Sequence, residues 1–250
     1  MNRCLLRLSM LVSMLLLAPL AIARPGALVT SLNVVPQNVP KLVAAFDAFR
    51  ATPVGQSAKG RTLLLGNISD GADPATVTFV ALYQSLAEYE AFVNANNASP
   101  AAWNQFLDTA VPLGSVVMTS RNQNRKSWGD VNDTDTVWES FYFTVSDYPA
   151  FVAALDAFIA SPAGKRAPGQ GHLLTITDSG AAPGTPDVAI VVGYASLAEL
   201  ETYGDSLAND PDWAKYVAAS NKASTFLGSD LARTIKAWGP ATMKSVSGPQ

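Results

Sequence analysis

Most of this chain is written twice, and that repetition limits the fold more than any other feature of the sequence. Residues 42–60 (LVAAFDAFRATPVGQSAKG) align without a gap on residues 151–169 (FVAALDAFIASPAGKRAPG), at an offset of 109. Further on, LYQSLAEYEAF matches GYASLAELETY at an offset of 111, pairing Tyr83 with Tyr194, Ser85 with Ser196 and Glu88 with Glu199. Both copies end alike, Lys126-Ser127-Trp128-Gly129 against Lys236-Ala237-Trp238-Gly239 at 110. So small a drift over a whole unit means duplication of a domain-sized segment. The boundaries that follow are a leader over residues 1–23, a first repeat over 24–130 and a second over 131–250.

The leader has Arg3 and Arg7, an apolar run over residues 8–20 and then Ala21-Ile22-Ala23, while the first acidic residue is Asp47. This is the pattern of a cleavable secretory signal peptide with its small-residue cleavage site. The expectation is an exported protein, periplasmic or secreted. Its apolar run is too short to span a bilayer, and no later stretch approaches the required length, so no membrane span is expected. The only cysteine, Cys4, lies inside the leader. A mature domain of this size without disulfides depends on its core for stability, and 48% hydrophobic against 15% charged residues supplies one.

Each copy reads strand, helix, strand, strand, helix, strand. The opening strands fall at residues 28–35 and 138–145, the second at 62–68 and 172–177, the third at 77–83 and 188–194, each with the apolar, β-branched or aromatic content of a pleated surface. The first helix follows Pro40 or Pro149 with its apolar residues at helical spacing. Ser85 with Glu88, and Ser196 with Glu199, are capping boxes opening the second helix. Ser99-Pro100 and Asp210-Pro211 read as a cap and first turn of a further helical piece. The last strand aligns poorly between copies. The fold class is therefore α+β: two tandem ferredoxin-like βαββαβ units whose sheets face each other as a pseudo-dimeric α/β barrel.

The stretches VALYQSLAEYEAFV and VVGYASLAELETY, a strand running into Ser-x-x-Glu and an acidic amphipathic helix, resemble the dimeric α/β-barrel superfamily, in particular antibiotic-biosynthesis-monooxygenase-like domains. The resemblance covers nearly all of the mature chain and implies a small-molecule cleft bounded by sheet, helices or loops. Haem-using members take a His from a helix, whereas His172 falls on a strand. No cofactor is expected.

Several function classes are disfavoured by composition. A net charge of -3 with scattered cations argues against nucleic acid as partner; Arg121, Arg125 and Lys126 read as a solvated loop. One His and no mature Cys leave no metal-binding constellation. His172 would have to be the base of any nucleophilic triad, and no G-x-S-x-G elbow is present. Asp47 and Asp156 repeat but point away from the apolar helix face, so they read as solvated flanks. Repeated aromatics remain as candidate ligand-binding residues: Tyr83 and Tyr194 at strand ends, and Trp103 and Trp213 after the Pro starts. Asn33 pairs with Tyr142 at an offset of 109, and His172 with Leu63. A polar site, if one half kept it, is expected in the second, with His172 and Tyr142 near Tyr194. The functional expectation is a small-molecule-binding or structural barrel for an apolar or aromatic ligand. The alternative, which the resemblance supplies, is a cofactor-independent monooxygenase-like enzyme acting on an aromatic or quinol-type substrate; an interaction subunit is a third. The sequence leaves the ligand, the oligomeric state and enzyme against binder open.

Overall fold

A computed structural model describes residues 25–69, 75–128, 134–169, 171–179 and 186–240. The expected leader lies outside these residues. The first repeat contains β1 (Gly26–Val34), α1 (Val39–Ala51), α2 (Pro53–Ser57), β2 (Arg61–Ser69), β3 (Val77–Tyr83), α3 (Leu86–Ala98), α4 (Ala101–Ala110) and β4 (Gly114–Trp128). The second contains β5 (Val137–Val145), α5 (Tyr148–Ala160), α6 (Pro162–Lys165), β6 (Gly171–Ser179), β7 (Val188–Tyr194), α7 (Leu197–Leu207), α8 (Pro211–Ala223) and β8 (Ser224–Trp238). Among the described residues, no helix is long and apolar enough to cross a membrane.

The strands close into one barrel in the order β1-β3-β2-β8-β5-β7-β6-β4, every neighbouring pair antiparallel. Each repeat thus contributes a four-stranded ferredoxin-like sheet, and the sheets are also hydrogen-bonded edge to edge through β2–β8 and β4–β6. Facing alone would have left four edges open; closure removes them. Because direction alternates round the barrel, β1 and β5 run the same way, and the pseudo-twofold axis lies along the barrel axis. The barrel register makes residues of β1 and β5 equivalent at an offset of 111, since Gly26 pairs with Tyr83 and Val137 with Tyr194. Tyr142 is therefore the counterpart of Ser31, and Asn33 that of Thr144, correcting the pairing read from the sequence. A 3-10 turn, Pro36–Asn38, lengthens the first connection by two residues and causes the slip.

Local chemistry sets the helix starts. Ser85 Oγ accepts from Glu88 N at 3.1 Å and Ser196 Oγ from Glu199 N at 3.2 Å. Each Glu reaches back one residue beyond the cap, accepting from Gln84 N at 2.8 Å or Ala195 N at 2.6 Å. Asp210 caps α8 by accepting from Asp212 N. Ser99 does not cap α4, because it closes α3 instead, donating its N–H to Ala95 and Asn96 carbonyls.

Two apolar clusters lie between the sheets and their helices. One gathers Val34, Leu42, Phe46, Phe49, Leu64, Val77 and Phe106; the other gathers Phe143, Phe151, Leu155, Val188, Ile190 and Tyr216. The C-terminal strand of each repeat crosses to complete the other repeat's cluster. Trp238 at the end of β8 packs on Phe46 of the first repeat, ring centroids 4.7 Å apart, and its Nε1 donates to Asp47 at 2.7 Å. Lys236 Nζ contacts the same carboxylate at 2.7 Å. Reciprocally, Lys126 on β4 pairs with Asp156 of α5, and Trp128 packs against the second repeat's cluster. Asp47 and Asp156 are thus anchors between repeats rather than solvated flanks. Likewise Arg121, Arg125 and Lys126 lie on β4 and not in a loop; Arg125 Nε donates to Thr175 Oγ1 at 2.9 Å.

Candidate functional site

Alternation along each strand divides the side chains between the helix-covered face and the lumen. A third cluster, Leu63, Leu65 and Ala232 with Val80 and Trp138, stands apart from the helix-backed two and marks the lumen wall. Trp138 is accommodated there because its cross-strand neighbour is Gly193, where an added Cβ would meet the indole. In the first repeat the corresponding pair is Ala27 and Leu82, so the large and small partners are exchanged.

The expected site residues do not gather in one place. Tyr83 and Tyr194 lie on the helix side, buried, and pack on Tyr89 of α3 and Tyr203 of α7. Burial, with Glu139 beside it, pushes the Tyr194 phenol up from its ordinary value. Trp103 packs on Phe49 and Phe106, and Trp213 on Phe158 and Tyr216, within the helix-backed clusters. Asn33 sits exposed near the end of β1. Tyr142 and His172 share the lumen face, on the two strands that flank β7, whereas Tyr194 points to the other face of the same wall. Tyr142 donates its hydroxyl to Asp230 Oδ2 on β8 at 2.5 Å.

His172 is the centre of a compact polar network. It pairs across the β4–β6 seam with Ser127, whose Oγ is 3.0 Å from His172 Nδ1. Asn124 Nδ2 donates to Ser127 Oγ at 2.8 Å and stands 3.3 Å from the same imidazole nitrogen. The Asn124 amide is oriented by its other end, since Oδ1 accepts from Lys126 N at 3.1 Å. That backbone donor is available because a β-bulge between Asn124 and Lys126 interrupts the ladder. With its Oδ1 engaged by Lys126 N, Asn124 turns only its Nδ2 donors toward Ser127 and the ring, so Nδ1 of a neutral imidazole accepts and Nε2 carries the proton. Burial pulls the His172 pKa down to about 4, keeping the ring neutral near pH 7. Across the β6–β7–β5–β8 pairings the row continues through Val191, Ser140 and Asp230.

The same three positions in the other seam carry different chemistry. There β8 pairs with β2, and the counterparts of Asn124, Ser127 and His172 are Thr234, Ala237 and Leu63. Leu63 is a buried member of the lumen cluster, and Thr234 accepts from Trp138 Nε1 at 2.9 Å. One seam is packed, while the other presents a histidine, a hydroxyl and an amide. Sequence reasoning found His172 and Tyr142 but missed Asn124, Ser127 and Asp230. The repeated Lys-x-Trp already set Ser127 against Ala237; what hid it was the reading of the preceding residues as a loop. Among the described residues, no group of three or more His, Cys, Asp or Glu side chains is placed to hold a metal ion.

No protein-family model matches this chain, and no curated protein does. Solved structures match it over nearly its whole length. A monooxygenase candidate from Lactobacillus acidophilus NCFM aligns with a TM-score of 0.58 at 12% identity, over 90% of this chain and 100% of its own. The chain has the dimeric α/β-barrel fold. Two more such barrels agree: an anthrone oxidase-like protein, with TM-score 0.56 at 13% identity over 90% of this chain and 94% of its own, and a monooxygenase candidate from Fusobacterium nucleatum, with 0.59 at 11% over 91% and 99%. At these identities the likeness concerns the dimeric α/β barrel itself.

Proposed function

We propose that this protein is an exported small-molecule-binding barrel whose ligand lies in the lumen against the β4–β6 seam, held by Asn124, Ser127 and His172. One observation carries the proposal: three adjoining lumen positions are packed as Thr234, Ala237 and Leu63 in one seam, and polar and hydrogen-bonded in the other, within an otherwise duplicated scaffold. A lumen bounded by eight strands has room for side chains or for one small ligand. An apolar wall with a few convergent polar groups is the usual make-up of a ligand site.

The test converts the polar seam into its packed counterpart. The triple variant N124T/S127A/H172L should fold, because the other seam already tolerates that set. Thermal shift against a panel of quinols, polyphenols and fatty acids should give stabilisation of the wild type by mass action and none of the variant. Equal stabilisation of both proteins would place the ligand elsewhere. Export is tested by N-terminal sequencing of the exported fraction, which should begin at Arg24; an intact Met1 there would overturn it.

The second reading is a cofactor-independent monooxygenase-like enzyme acting on an aromatic or quinol-type substrate, favoured by the likeness to an anthrone oxidase-like fold. A His with a pKa of about 4 is far from the operating range of an efficient general base at neutral pH, which supports binding over proton abstraction. Substrate-dependent oxygen uptake that disappears in the triple variant would favour the enzyme instead.

A further inference from the structure

The lumen contains a polar group that the network above does not use. Asn122 on β4 is only 6% exposed, and its Oδ1 is buried with no hydrogen-bond partner among the described residues. Leaving such an acceptor unpaired forfeits its hydration without a replacement bond, and native proteins rarely carry that cost without compensation. Asn122 is two residues before Asn124 on the same strand, so it shares the lumen face, about 7 Å away along the wall. Its cross-strand partner on β1 is Ala27, which offers no polar side chain to pair with the amide.

Its counterpart on β8 is Ala232, a member of the apolar lumen cluster. The duplication therefore places an amide where the other half manages with a methyl group. Ser120, Asn122, Asn124 and Ser127 together make a polar stripe along β4, with Leu63, Leu65, Val80 and Ala232 forming an apolar wall elsewhere in the same lumen. A molecule filling this space is apolar over most of its surface and polar along one edge. A primary amide presents an acceptor and a donor side by side in one plane. It is complementary to a partner with an adjacent donor and acceptor, the match by which Asn recognises the edge of adenine.

Resting on the lumen-binding proposal above, we infer that Asn122 is the specificity-determining residue of the site, and that the ligand carries a hydrogen-bond donor next to an acceptor on one edge of an apolar body, as a cyclic amide does. The donor satisfies Oδ1, and the neighbouring acceptor takes the amide N–H.

Three probes of nearly equal size separate the terms: 2-quinolone, with adjacent donor and acceptor; N-methyl-2-quinolone, without the donor; and naphthalene, without either. Binding is followed by calorimetry on the wild type, Asn122→Ala and Asn122→Leu, with melting curves to establish that each variant is folded. Ala matches the residue at the equivalent position, so at least that variant should fold. The wild type should bind 2-quinolone at least tenfold more tightly than the N-methyl compound, and both variants should lose this preference while retaining naphthalene. A wild type without preference, as expected if an ordinary buried water satisfies Asn122, overturns the inference and leaves lumen binding intact. A preference that persists in the variants overturns it equally. Failure of all three probes to bind the wild type counts against both the inference and the lumen reading, whereas naphthalene binding without discrimination counts against the inference alone.

Discussion

Protonating His172 is harder in this barrel than in water, because the ring is desolvated and Nδ1 already accepts from Ser127 or Asn124. The folded pKa of about 4 lies below the ordinary value of 6.5. Between those values the unfolded chain binds more protons than the folded one, so stability rises with pH across that window. This contribution is complete above about pH 6.5, is lost as pH falls toward 4 and levels off below. The full difference corresponds to about 3 kcal/mol at most. Denaturant unfolding of the wild type and His172→Leu, followed from pH 7.5 to pH 4, should show the wild type losing up to that amount relative to the variant. Parallel curves would mean that the imidazole titrates as though in solvent. The residue-scale reading of His172 as a strand residue was accessible from its alignment with Leu63; its partners were not, because the contact with Ser127 is made across a seam between repeats.

At the scale of elements, legibility followed local pattern. The spans expected for β3 and β7 match the structure because each ends at a tyrosine followed by a Ser-x-x-Glu start. β4 reads as a loop from sequence because its C-terminal half, SRNQNRKSW, is polar on both faces: the lumen side carries the stripe, the outer side reaches charged or polar partners, and the bulge at Arg125 breaks the alternation. A strand that is not amphipathic has no period-2 signal to find. Asp47 shows the complementary limit. The helical wheel placed it correctly off the apolar face of α1, yet its partners, Lys236 and Trp238, come from the far end of the chain. Periodicity describes where a side chain points and carries no information about which distant element arrives there.

At the scale of the whole molecule, closure and duplication are two views of one arrangement. Neither repeat owns a complete core, because Trp238 finishes the first and Trp128 the second. Neither owns the polar site either, since Asn124 and Ser127 come from the first repeat and His172 from the second. The covalent connection between the repeats, residues 129–133, is consequently dispensable for holding them together. With a protease site placed there, the nicked protein should elute from a sizing column as one particle of full mass and keep its ligand response, while two separated peaks would contradict this. The crossing of C-terminal strands thus resembles a handshake between equals: the grip outlasts the cutting of the cord that introduced the two hands. The two halves are therefore free to diverge in sequence only as far as each still fits the other's grasp.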